Sequence, residues 1–172
     1  ASPTTGTDHV VRLTPEQAPL YRAVTEGILD QIESAEGIAR RGLVLKLLTA
    51  LKQICNHPAH YLRQAGPLTG RSGKLDASLE LLDIIRDEGE ASLVFTQYVA
   101  MGDLLKAHLE AAGHRTIFLS GQVPLRRREE MVDQFQAGSG VHLGQGAHVG
   151  ILPVCRDAGS RVPWRTGGGP RG

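Results

Sequence analysis

Four short stretches hold the side chains that could do chemistry. Gly70–Lys74 reads GRSGK and looks like half of a phosphate-binding loop. A complete loop has a Gly five residues before the Gly-Lys pair and Ser or Thr after it, so that backbone amides cradle phosphates and a hydroxyl holds Mg²⁺. Those positions are Leu68 and Leu75, so the stretch reads as a loop entering a helix. Cys55, His57 and His60 suggest zinc, but a structural zinc site wants four ligands, usually in paired clusters. No fourth ligand stands nearby, since Cys155 belongs to a distant segment; no metal is expected. Helix-end packing is the better reading, with Asn56 and His57 capping the end or lying under the loop. Arg126, Arg127 and Arg128 stand beside Glu129, Glu130 and Asp133, which reads as a solvated charge run. Cations at a helix N-terminus oppose the dipole, so this placement wants compensation. Thr96 and Gln97 close a short apolar run, at what would be the ligand edge of an α/β sheet; plain strand-end hydrogen bonding is the alternative.

The elements that must position these residues are legible. Residues 1–12 read as a lead-in. Thr14, Pro15 and Gln17 form a helix start with a Thr-x-x-Gln capping box. Tyr21, Val24, Ile28 and Ile32 then recur at helical spacing to about Ser34. A second helix from about Ala39 to Asn56 carries an apolar stripe of Val44, Leu47, Leu48, Leu51, Ile54 and Cys55, and Pro58 ends it. Residues 13–62 therefore make a helical segment, and residues 63–73 a Gly- and Pro-containing loop. From residue 74 the pattern alternates. A helix on Leu75, Leu79, Leu82 and Ile85 leads to a strand at Ser92–Thr96. A helix on Met101, Leu104, Leu105 and Leu109 leads to a strand at Thr116–Leu119, then a helix over Pro124–Gln136. Short connections between these argue for an α/β lobe with a parallel sheet. Residues 141–172 are rich in Gly and Arg, and only His148–Val154 could be a strand. That tail reads as a linker, a disordered end, or out-of-frame translation.

Composition narrows the class. The 172 residues suit one domain, and a net charge of +1 gives no global case for nucleic acid. Two cysteines do not make a disulfide scaffold, so a reducing compartment is expected. No run approaches the ~18 to 20 apolar residues of a membrane span, and the N-terminus lacks a signal-peptide pattern.

Four segments in order resemble the bacterial Swi/Snf-like helicases. They are LTPEQAPLYRAV at Leu13–Val24, LKQICNHPAHYL at Leu51–Leu62, SGKLDASLELL with SLVFTQY at Ser72–Leu82 and Ser92–Tyr98, and FLSGQVPLRRREEMVDQFQ at Phe118–Gln136. In the last, Arg128 stands seven residues before Phe135, as in the family pattern. The resemblance implies a truncated RecA-like parallel-sheet lobe preceded by a helical pair, with the partial C-terminal helicase lobe at residues 74–140. The family is a two-lobed, ATP-dependent DNA translocase using ATP and Mg²⁺, with duplex DNA running across both lobes. The resemblance places Lys74 toward the interlobe cleft. It places the turn Ser120, Gly121 and Gln122 near DNA phosphates, with Thr96, Gln97 and Arg128 as further contacts. A phosphate loop and the family's arginine-finger motif are not found in this sequence. Such a finger contributes about 10³ to 10⁵ in rate in related hydrolases, so ATP turnover and tight nucleotide binding are not expected of this chain alone. The implied partners are duplex DNA, held weakly and without sequence preference, and the first motor lobe. The implied setting is the cytoplasm, at the nucleoid.

Overall fold

The computed structural model describes residues 9–137, 141–145 and 150–154. Two helices come first, α1 (Gln17–Glu33) and α2 (Gly37–Asn56), and they pack on each other as a hairpin. The expected capping box is present: the Gln17 N–H donates to Thr14 Oγ1 (3.2 Å), and the Thr14 N–H donates to Gln17 Oε1 (3.1 Å). The α2 stripe is buried only toward its C-terminal end. Ile54 is fully buried, whereas Val44 and Leu48, expected on the buried side, are exposed.

Helix α2 stops one residue before Pro58's fixed φ and missing N–H can be accommodated. A five-residue helix α3 (Pro58–Leu62) follows, with Pro58 at its first position, where α3 itself has no use for an N–H donor. Helix α4 (Gly73–Asp87) starts at Ser72, whose hydroxyl accepts from the Leu75 N–H (3.2 Å). Strand β1 (Ala91–Thr96), helix α5 (Val99–Ala111), strand β2 (Thr116–Leu119) and helix α6 (Leu125–Ala137) then alternate as the pattern predicts.

The sheet does not stop at the boundary expected near Gly140. Val141–Gln145 form β3 and Gly150–Val154 form β4, giving the order β2-β3-β1-β4. Strand β3 is parallel to both neighbours, with Val141 level with Thr116 and Ser92, and β4 is antiparallel to β1. Strand β4 falls within the His148–Val154 stretch that the sequence allowed as a strand, whereas β3 was not expected, and the reading of residues 141–172 as a tail with one possible strand is corrected at Val141–Gln145. The physical reason is pairing. Strands β1 and β2 do not bond each other, so β3 supplies the partner for backbone groups that would otherwise be buried unsatisfied. Cys155 and Trp164 lie outside the described residues.

Side-chain alternation divides the sheet into two faces. Val94, Phe118, Val141 and Leu143 meet Leu75 and Leu82 of α4 and Met101, Leu105 and Leu109 of α5 in the main core. Ile117, Leu119 and His142 face α6, where Phe135 meets the His142 ring edge-on at 4.0 Å. No helix among the described residues is long and apolar enough to cross a membrane.

Candidate functional site

Lys74, the strand end Thr96–Gln97 and the turn Ser120–Gln122, all singled out in the sequence, lie toward one edge of the lobe. Parallel strands end together, so the C-terminal ends of β1 and β2 are level: Phe95 and Leu119 both pair with Gly144. Two strand spacings separate them, about 10 Å. Helix α4 runs into β1 and covers it, and Lys74, in its first turn, lines the same cavity as Thr96. Lys74, Thr96, Gln97 and the turn Ser120–Gln122 thus share the carboxyl edge of the parallel strands.

Within that edge the residues differ in access. Thr96 is only 1% exposed, and its hydroxyl accepts from the Tyr98 N–H (3.4 Å). Ser120 is also buried. Gln97, Gly121 and Gln122 are exposed. Arg128 is half-buried and does not hang in solvent. Its Nε donates to the Val123 carbonyl (2.7 Å), and its Nη2 donates to the Gly121 carbonyl (2.9 Å) and reaches that of Ser120 (3.5 Å). Its neighbours Arg126 and Arg127 are exposed, and Arg127 pairs with Glu130. The arginine run is thus neither uniformly solvated nor uniformly available.

Lys74 stands at a polar junction that the sequence reading did not foresee. Its Nζ donates to Asn56 Oδ1 (3.1 Å), and burial lowers its pKa, with nearby Cys55 acting in the opposite sense. Pro58 cannot donate to the Ile54 carbonyl, and the Ala59 N–H is taken by His57 Nδ1 (3.0 Å). The last carbonyls of α2 therefore need other donors. Gln17 supplies them, its amide donating to the carbonyls of Ile54 (2.8 Å) and Cys55 (3.3 Å). The Ser72 hydroxyl donates to the Asn56 carbonyl (2.8 Å). The three segments LTPEQ, CNHP and SGK are joined here by hydrogen bonds spanning up to 56 residues. The capping-box pattern marked Gln17, but nothing local marks its distant partners.

His57 is fully buried, bonded through Nε2 to the Leu68 carbonyl (2.9 Å), and holds the loop over α3. His60 packs against Tyr98 with ring centroids 5.0 Å apart. No group of three or more His, Cys, Asp or Glu among the described residues is arranged to hold a metal. His57 and His60 are thus packed at the end of α2 and along α3.

Two curated relatives and two solved structures place this arrangement. YwqA of Bacillus subtilis (strain 168), which carries the name of an ATP-dependent helicase/translocase, is 38% identical over 155 residues, 81% of this chain and 17% of that protein. A mouse SWI/SNF-related regulator of chromatin, subfamily A member 1, is 31% identical over 135 residues, 73% of this chain and 13% of that one. The Sulfolobus solfataricus SWI2/SNF2 ATPase C-terminal domain superposes with a TM-score of 0.77 at 33% identity, covering 81% of this chain and 62% of that one. The chain belongs to the Swi/Snf-like family. A Sulfolobus solfataricus SWI2/SNF2 ATPase core, solved in complex with dsDNA, superposes with a TM-score of 0.74 at 34% identity, over 80% of this chain and 30% of that one. No family model matches. This Swi/Snf-like chain spans less than a fifth of the length of the two curated relatives. Its α/β architecture is that of the C-terminal RecA-like lobe.

Proposed function

We propose that this chain forms the helical lead-in and first strands of the C-terminal motor lobe of a DNA translocase. The carboxyl edge of its parallel strands then meets the duplex backbone. The observation that carries this is the convergence of Gln97 and the turn Gly121–Gln122, both exposed, on one level of the sheet. Backbone amides and uncharged side chains there suit phosphate positioning without base readout. A relative of the same lobe architecture was solved on dsDNA, which supports the choice of partner.

ATP and Mg²⁺ belong, on this reading, to the complete two-lobed motor in the cytoplasm. The cavity beside Lys74 is walled by Leu75, Leu79, Leu82, Val94, Met101 and Leu105, and among the described residues Lys74 is its only charged lining residue. That wall does not fit a triphosphate. Lys74 offers one cation toward a nucleotide that another lobe would hold, and the chain alone turns over no ATP. A second reading, a protein-binding module, rests on exposed apolar side chains of α2: Ile38 at 88%, Leu45 at 65% and Leu48 at 52% exposure.

Fluorescence anisotropy with labelled duplexes separates the two. The DNA reading expects Kd near 10⁻⁴ M, the low-affinity end of non-specific binding, and a Kd that rises as salt is added. It also expects equal affinity for unrelated sequences and no DNA-stimulated ATP hydrolysis. Absence of binding at low salt would leave the protein-binding module, and tight sequence-dependent binding would sink both.

A further inference from the structure

We propose that Arg128 is a positioning residue, which sets the turn Ser120–Val123 in the shape that receives a phosphate and does not itself hold the phosphate. The proposal rests on the DNA reading above. The turn is closed by the Val123 N–H donating to the Ser120 carbonyl (3.2 Å). Arg128 then draws three carbonyls of this turn, those of Ser120, Gly121 and Val123, toward one guanidinium. A guanidinium presents its donors in a rigid planar fork, so serving several acceptors at once fixes their mutual geometry.

Two consequences follow for an approaching anion. Carbonyl oxygens carry the negative end of each peptide dipole, and these three are turned inward, away from the exposed side. In a planar trans peptide the C=O and the following N–H point in opposite directions. With the Gly121 carbonyl on the guanidinium, the Gln122 N–H is directed away from it, toward the exposed side of the turn. The outer surface is thus left with amide character and a cation behind it. The same bonds compensate the charge of Arg128 near the N-terminus of α6, where a bare cation would oppose the helix dipole.

The test compares Arg128→Lys and Arg128→Gln with the unmutated chain, by duplex-DNA anisotropy over a salt series and by amide NMR spectra of the free protein. Lys keeps the charge and loses the fork. Positioning predicts that both variants lose affinity alike, roughly fivefold, on the scale of one hydrogen bond. The slope of log Kd against log salt should stay unchanged, and the Gly121, Gln122 and Val123 amide signals should move before any DNA is added. A direct phosphate contact predicts the opposite. Lys would retain affinity, Gln would lower the slope by about 0.9, and the free turn amides would stay in place; that pattern overturns the proposal. If Arg128→Gln fails to fold, the Lys variant carries the comparison alone. Failure of the unmutated chain to bind at any salt overturns the DNA reading and the phosphate role together. Moved turn amides in the free variants would then show a clamp that serves the fold only.

Discussion

Replacing Gln17 by Met keeps most of the side-chain volume and removes every hydrogen bond that the Gln17 side chain makes at the junction of α1, α2 and α4. Two of those bonds are well formed, to the Ile54 carbonyl at 2.8 Å and from the Thr14 N–H at 3.1 Å. Gln17 itself is fully buried, and Pro58 denies the Ile54 carbonyl an intrahelical donor, so that oxygen is left without a partner. Two bonds at about 1 kcal/mol each, with about 1–3 kcal/mol for a buried unsatisfied carbonyl, give a loss of about 3–5 kcal/mol. Urea unfolding followed by circular dichroism reads that loss as a lower midpoint at unchanged slope. Amide exchange adds location: α1 should lose protection before β1 and β3, because the Gln17 side chain ties α1 to the end of α2 and the start of α4. A loss below about 1 kcal/mol would refute the reasoning, since it would mean that water or a shifted backbone satisfies the α2 end as well as Gln17 does.

Gly102 on α5 lies directly against the Phe118 ring of β2, so a methyl group there has no room. Gly102→Ala should destabilise by about 1–3 kcal/mol through overpacking, read by thermal melting, and an unchanged Tm would show that the ring can swing aside. The pH dependence follows from His57, whose pKa is lowered by burial, with Arg71 adding to this and the Leu68 bond, Glu16 and Asp76 opposing it. His60 is lowered by burial and by His57. A folded pKa below the unfolded value of about 6.5 means that the unfolded chain binds protons first, so stability is complete above that pH and declines as pH falls from there toward the folded pKa. Urea midpoints at pH 7.5 and 5.5 should show the decline, and equal midpoints would contradict it.

The sequence alone determined α1, α2, α4, β1, α5, β2 and α6 and their order, but not α3 or β3. Capping chemistry at Thr14 and Gln17, the break at Pro58 and the alternation from Leu75 onward depend on neighbours within a few residues, so they are legible without the fold. Four motifs in order were likewise sufficient to show the family, because motif order survives where any one motif is ambiguous. Tertiary structure decided what those positions do. Val141–Gln145 has no strong strand pattern of its own and became the middle of the parallel set because β1 and β2 lack each other as partners. Arg128 was marked in the sequence by its place seven residues before Phe135 and as a candidate DNA contact, and only the path of the preceding turn brought three carbonyls within its reach. Gln17 was legible as a cap but not as the donor for carbonyls 37 and 38 residues away. Hydrogen-bond partners across such separations are set by how helices pack, and no pattern within a single helix records them.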